Sequence, residues 1–358
     1  MNFDSNRTYG IEIEMSWGRD HHAPSRDAVA AALRRAGLNA SNAGYSHNVS
    51  NGWKVVSDGS VRNGHELVSP ILRGLDGKEQ LKTAMRAVKA IGAVTDASCG
   101  VHVHHGVHDF TAKQLANIAE IYANNEPTID KLVASSRRNT HWAMSMTGRQ
   151  YFDRAITTLN GEWQTSHHDI NAKANLTREL APNGRYFKVN FHAFPRQGTV
   201  EFRQHQSSLN AVRIWNWVVF TQLIVSAAKA KRGKANPVTV NTGNPETAGE
   251  RGLIRDLNMR KRIDPRSGRQ NYDDVAMSAL RGMAVKRGEG RFASGLDINL
   301  RAGAVEVEVE VAMTAEERHS TICNGHMVER TNRNTGETFL GCSNYRQGCR
   351  FSTNTVAA

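Results

Sequence analysis

Four short apolar stretches of this chain each carry two polar or ionisable residues spaced i, i+2. They are Glu12 and Glu14 in YGIEIEM, His102 and His104 in CGVHVHHG, Asn190 and His192 in FKVNFHAF, and Glu201 and Arg203 in TVEFRQH. Side chains two apart on a β-strand point to the same face. Each stretch therefore offers two chemically active groups to one side. The other side receives Ile11, Ile13, Val101, Val103, Val189, Phe191, Val200 and Phe202. Desolvating a carboxylate costs several kcal/mol unless it is paired or bound to a metal. Four such strands predict a charged, concave face that holds a cation and an anion together. Glu12, Glu14 and Glu201 have the oxygen ligands that Mg2+ prefers, and a neighbouring histidine could join a softer position. Arg203 would face the same cavity and could clamp a phosphate with two N–H groups. A lone E-x-E pair is more often a surface strand position or a satisfied ion pair; the repetition over four strands is what favours a site.

The elements that must position these groups can be read from pattern. A strand near Tyr9–Met15 precedes a helix from the N-cap Ser25 to about Arg35, stopped by Gly37. Strands follow at Trp53–Val56 and Glu66–Ser69, with a turn at Ser57–Ser60 between them. A helix is expected from about Lys78 to Ile91, then the histidine strand, then helical spacing from Thr111 to Val133 with a break at Pro127. Residues 135–183 are mixed. Strands near Arg185–His192 and Thr199–His205 read as an antiparallel pair, and a long helix should span Leu209–Ala230. The pattern lacks a strict βαβ rhythm, so the expected class is α+β: a mainly antiparallel sheet with helices on its other side.

At 358 residues, the chain has room for one large and one small domain. We expect a catalytic domain over 1–300, an extended connector at 301–319 and a small unit over 320–358. The run AVEVEVEV at Ala304–Val311 falls in the connector. Its three glutamates share one face and repel, which argues for solvent over a metal cluster. Hydrophobic residues make up 39% of the chain, enough for a core. No apolar run is seen to approach the ~18–20 residues of a membrane span, and the opening MNFDSNRTYG lacks the form of a signal peptide. Three of the four cysteines crowd the C-terminal end, which fits a metal site in a reducing compartment. A cytoplasmic protein without membrane partners is the expectation. Cys99 reads as a small buried core residue rather than a nucleophile.

The net charge is +12, and residues 229–291 hold 15 basic and 7 acidic residues. This basic, helix-like region could attract nucleic-acid phosphates, cover a nucleotide, or be a solvated surface. Near the C-terminus, Cys323-x2-His326 and Cys342-x6-Cys349 are separated by fifteen residues. Four soft ligands at this spacing predict a structural Zn2+, since so short a segment needs a staple to fold. The text CNGHMVERTNRNTGETFLGCSNYRQGCRF resembles the C-terminal zinc ribbons of type IA DNA topoisomerases. It departs from them in having His326 in place of a cysteine and a wider last pair. Tyr345, Phe339, Phe351, Arg346 and Arg350 could meet bases and phosphates of DNA or RNA; a protein-docking or structural knob is the alternative.

Taken in order, GIEIEM, WKVVSDGSV, HELVSPILRG, CGVHVHHG, RYFKVNFHAF and GTVEFRQHQSSLN resemble the amidoligase family of carboxylate–amine ligases, within the glutamine synthetase and glutamate–cysteine ligase superfamily. The resemblance runs from about Tyr9 to Leu257. It implies a glutamine-synthetase-like catalytic face, ATP and Mg2+ as cofactors, and an acyl-phosphate route to an amide. It also implies that Glu12 and Glu14 are the first-strand metal pair, Glu66 the acid of the E-x-x-(S/T)-P motif, His102 and His104 the H-x-H strand, and Glu201 with Arg203 the E-x-R strand. Arg185 and Asn190 fall where it implies phosphate or substrate contacts. ATP rests on the resemblance alone, because the chain has no G-x-x-x-x-G-K-[ST] loop. Two other readings stay open: a nucleic-acid-binding protein with an inactive ligase fold, and a ligase acting on a nucleic-acid-linked group.

Overall fold

The alternation in YGIEIEMS forms strand β1, Tyr9–Ser16, in the middle of a seven-stranded sheet. The computed structural model describes residues 3–232 except positions 20, 47, 139, 147–169 and 181–183. Beyond them it describes 253, 256, 257, 262–263, 270–271, 327–331, 338–342 and 352–354. The sheet also contains β2 (Ala40–Gly44), β3 (Trp53–Val56), β4 (Gly64–Val68), β5 (Gly100–Gly106), β6 (Val189–Asn190) and β7 (Thr199–Gln206). Their order is β2-β3-β4-β1-β5-β7-β6. Every pairing is antiparallel except β2 with β3.

Helices cover one face. Helix α1 (Arg26–Arg35) starts at Ser25, whose Oγ accepts from the Ala28 N–H at 3.2 Å, and buries Val29, Ala30 and Leu33. Helix α2 spans Gly74–Ala90, four residues earlier than the pattern suggested, and buries Leu81, Ala84, Met85 and Val88. Helix α3 (Ala112–Leu132) begins in a reciprocal cap between Thr111 and Gln114. Pro127 does not break it. An interior proline costs about 3 kcal/mol, but the turns around it bury Tyr122, Ile129 and Leu132, each worth about 1.5–3 kcal/mol. Packing outweighs the lost hydrogen bond.

Helix α4 (Ile170–Leu180) packs beside α3, and α5 is a single turn, Phe194–Gln197, ended by Gly198 at φ +65°. Helix α6 (Ala211–Ala230) starts at Asn210, whose side chain accepts from the Val212 and Arg213 N–H groups. It packs against α2, α3 and β5. Contrary to the expectation from sequence, this helix is long and apolar enough to cross a membrane by length and composition, but 78% of that stretch is buried within the fold. It is apolar on all sides because the core surrounds it.

Two expectations change near the sheet edge and beyond. The strand expected over Arg185–His192 shrinks to Val189–Asn190, because the Asn190 side-chain oxygen accepts from the His192 N–H at 2.9 Å and turns the chain. His192 thus leaves the strand face it was expected to share with Asn190. Within the basic region expected to be helical, Arg262–Ile263 (β8) pairs antiparallel with Gln270–Asn271 (β9). Pro265 and Gly268 lie between them and favour a turn.

The chain divides into two compact units, Met1–Ile298 and Asn299–Ala358. The second contains an antiparallel three-stranded sheet of β10 (Met327–Thr331), β11 (Thr338–Cys342) and β12 (Ser352–Asn354). Cys342 ends β11. Cys323, His326, Cys349 and the run at 304–311 lie outside the described residues.

Candidate active site

Strand register decides which groups meet. Directly opposed residues of an antiparallel pair project to the same face. Glu14 lies opposite Glu66, which lies opposite Val56. One row along, Lys54, Val68, Glu12 and His102 line up across four strands. The next row is Gly10, His104, Glu201 and Asn190. All of these face away from the helices. The intervening row of Ile11, Val103, Phe202 and Val189 is buried on the helix side.

The resulting cluster is dense. Glu12 Oε2 lies 3.1 Å from His102 Nδ1, and Glu12 Oε1 lies 3.3 Å from His104 Nε2. His102 also sits 3.5 Å from Glu201 Oε1 and, through Nε2, 3.8 Å from Glu14 Oε1. Glu201 accepts from Arg203 Nη1 and from Asn190 Nδ2, the latter at 2.6 Å. The other Glu14 oxygen accepts the Gly100 N–H at 2.5 Å. Three sets of donor atoms lie within 4.8 Å of one another: Glu12, Glu66 and His102; Glu12, His104 and Glu201; and Glu14, Asp58 and Glu66.

Protonation follows from this crowding. Burial pushes the Glu66 carboxyl well above its usual range, and the charges of Glu12, Glu14, Asp58 and Glu201 push it further. Burial also raises Glu14, against the opposing pull of His102 and the Gly100 N–H. For Glu12, burial acts upward, but His104 and His102 together hold the group well below the carboxylate range. Glu201 is likewise lowered: burial opposes the shift, and Arg203 and His104 drive it. His104 is raised, because Glu201 and Glu12 overcome its desolvation.

A cation fits this donor set. His104 Nε2 is buried and, among the described residues, makes no hydrogen bond of good geometry, although it lies 3.3 and 4.0 Å from the Glu12 and Glu201 carboxylates, while its Nδ1 is held by Thr199 Oγ1 at 3.1 Å. A ring fixed through one nitrogen, with the other turned towards carboxylates, is how metal-ligating histidines are oriented. The all-oxygen set of Glu14, Asp58 and Glu66 suits a hard cation such as Mg2+, and the mixed sets tolerate a softer one.

Arg185 is placed differently. It is exposed, with its guanidinium 5.5 Å from the centre of the Tyr186 ring. Cys99 is fully buried, and burial pushes its thiol up to about 11, so it is no thiolate nucleophile. Sequence reasoning passed over two groups. Asp58 was read only as a turn residue, yet its carboxylate accepts from the Ser60 N–H and hydroxyl, both at 2.6 Å, and reaches the Glu14 and Glu66 set. Lys54 is the second. Its ammonium is buried and donates to the Ser46 and Asn48 carbonyls at 3.3 and 2.5 Å. Those two bonds tie Ser46 and Asn48, in the connection between the parallel strands β2 and β3, to a side chain of the site face. Alternation within WKVV already placed Lys54 opposite Trp53 and Val55, and that was the available signal. A cavity of about 470 Å3 in the helix layer is lined by Glu120, Asn124, Lys231 and Asp256 and shares no residue with the cluster.

Acids, histidines and Arg203 thus share one face of a mainly antiparallel sheet, and the acids and histidines form sets of donor atoms that could hold a metal ion. Residues 5–225 match the model of the family described as "Putative amidoligase enzyme". The chain belongs to the amidoligase family, and this marks it as an enzyme of the ligase type. The matched span stops short of the Leu257 limit read from sequence and excludes the basic region. No curated protein matches the chain.

Proposed function

We propose that the protein is an ATP- and Mg2+-dependent carboxylate–amine ligase working through an acyl phosphate. The observation that carries the reading is the joining of three overlapping acid and histidine sets to a buried Arg203 on one sheet face. Glu12, Glu14, Asp58, Glu66, His102, His104 and Glu201 are the residues that would hold divalent cations. Bound there, the cations would supply charge neutralisation for nucleotide phosphates. A substrate carboxylate oxygen forms a bond to the terminal phosphorus of ATP as the bridging P–O bond breaks, giving an acyl phosphate and ADP. The amine nitrogen then forms the C–N bond, phosphate leaves with the C–O bonding pair, and the nitrogen gives up a proton to solvent. Arg203 would meet charge on the transferring phosphoryl group. Asn190 fixes the Glu201 carboxylate through its amide.

The test is phosphate release from ATP over a panel of carboxylates and amines, with and without DNA. Release that requires one acid and one amine, and amide product in equal amount, supports the reading. Wild-type protein that releases no phosphate with any pair would refute it. A second reading is favoured by the basic excess at 229–291 and the four C-terminal ligands: Cys323, His326, Cys342 and Cys349 bind one Zn2+, and the C-terminal unit delivers the ligase to DNA or RNA in the cytoplasm. One zinc per chain is then expected. Truncation before about Ser320 should weaken nucleic-acid binding and lower its salt slope by roughly 0.7–0.9 per lost phosphate contact.

A further inference from the structure

Arg137 stands on the site face, although no motif pointed to it. It closes a single 3-10 turn, Ser135–Arg137, that follows α3, and only 3% of it is exposed. Its Nη2 donates to the Arg203 carbonyl at 2.7 Å. Its position relative to the sheet can be derived from a missing side chain. Gly100, His102 and His104 alternate along β5, so a side chain at Gly100 would project to the site face. A Cβ there would lie 2.7 Å from Arg137 Nη2, 3.1 Å from Cζ and 3.3 Å from Nη1. The guanidinium therefore covers Gly100 on that face, beside the Glu14 carboxylate that takes the Gly100 N–H.

The hydrogen bonding of the two arginines is incomplete. Nε of Arg137 and Nε of Arg203 are both buried, and neither has a hydrogen-bond partner among the described residues. Buried N–H groups are almost always satisfied, and each exception needs a reason. The charge of Arg203 also acts against that of Arg137, and the carboxylates that offset the two, Glu14 for Arg137 and Glu201 for Arg203, belong to the sets suited to cations. A tetrahedral oxyanion has enough acceptors to meet both forks at once.

We propose that Arg137 and Arg203 together form the seat of a phosphoryl group, with Arg137 its second binding guanidinium. Gly100 keeps the space that Arg137 occupies. The inference rests on the ligase reading above. The terminal phosphate of a nucleotide, an acyl phosphate and free phosphate share the chemistry of this seat.

Calorimetric titration of the full chain with inorganic phosphate and with Mg·ADP tests the seat. Arg137→Gln should weaken phosphate binding about 10-fold or more, the loss expected for a hydrogen bond to a charged group. Arg137→Lys should recover only part of it, since lysine restores the charge without the fork. Gly100→Ala should fold, because only the flexible end of Arg137 has to move, and should weaken phosphate binding although Arg137 is still present. Binding of Mn2+ to Arg137→Gln should stay within about twofold of wild type. A parallel loss of Mn2+ would make Arg137 structural and overturn the seat. Phosphate binding unchanged in both Arg137→Gln and Gly100→Ala would overturn it too, while ATP-dependent phosphate release by wild type left the ligase reading standing. A wild-type chain that binds neither phosphate nor Mg·ADP overturns both.

Discussion

His104 and His105 are neighbours in sequence, of one residue type, and belong to two different proteins in all but name. His104 faces the acids, with Nε2 3.3 Å from Glu12 and 4.0 Å from Glu201, and those charges raise its proton affinity despite burial. His105 faces the helix layer. Its Nε2 meets Thr221 of α6 at 2.8 Å, its ring meets the edge of Phe202, and burial pushes it down to about 3, with Arg7 and His104 adding to the effect. One strand thus builds an ionic site on one face and a neutral core on the other. What a histidine does here is set by the face it projects to, not by its chemistry alone.

The strongest way to break this contrast is on the ionic face. Glu14→Ala or Glu201→Ala should lower ATP-dependent amide formation by about 10³-fold or more. Glu14→Ala should stay folded, because removing that acid relieves the crowding that raises Glu66. Glu201→Ala should also cost about 3–5 kcal/mol of stability, as the buried Arg203 loses its carboxylate. Circular dichroism and turnover on the same sample check both halves, and wild-type turnover in either variant would sink the metal assignment. Arg203→Ala comes next, with an expected loss of about 10²-fold.

A paired exchange sharpens the comparison. His104→Ala should cost turnover by about 10²-fold with little change in stability. His105→Phe should leave turnover within about threefold and change stability by only about 1 kcal/mol, since Thr221 keeps its bonds to the Trp217 and Val218 carbonyls. Kinetics beside urea unfolding would read both, and the same loss of turnover in each variant would erase the distinction between faces.

The smallest effect lies outside the sheet. Burial acts to raise the Asp109 carboxyl, but hydrogen bonds and charge from Arg7 and Lys229 hold it below its usual range. A carboxylate lowered in the folded state adds stability above the unfolded pKa, near 4, and loses it as pH falls through the folded value. Asp109→Asn should therefore cost about 0.2–1 kcal/mol at neutral pH and almost nothing in strong acid. Unfolding midpoints from pH 7 to pH 2 that fall in parallel for both proteins would remove the ion pairs from the balance.

Much of the site was legible because its strands are amphipathic. Period-two alternation in YGIEIEM, CGVHVHHG and TVEFRQH names the residues that share a face, whatever the strands pair with. Asp58 was not legible in that way, since a residue in a turn has no periodicity and is placed only by where the turn ends up. Arg137 was hidden for a similar reason. It follows a long helix, and its relation to Gly100 spans two elements that the chain does not join directly. His192 fits the alternation and still leaves the face, because the local bond from its N–H to Asn190 competes with the strand.

The amino-acid order by itself determined the class of the fold, the helix starts at Ser25 and Thr111, the two faces of each central strand, and the ligand types available to a cation. These depend on local geometry and on the period of burial, both carried by neighbouring residues. Only tertiary structure decided that β1 lies between β4 and β5, so that Glu12 meets His102 while Glu14 meets Glu66. The same holds for the irregularity between β5 and β7, where Val101 pairs with His205 and Val103 with Phe202. It puts one extra residue beside Arg203 and turns His205 to the Trp217 ring in the helix layer. Strand order and register are set by which apolar faces bury together and by long-range pairing, and residues far apart in sequence carry no local trace of either.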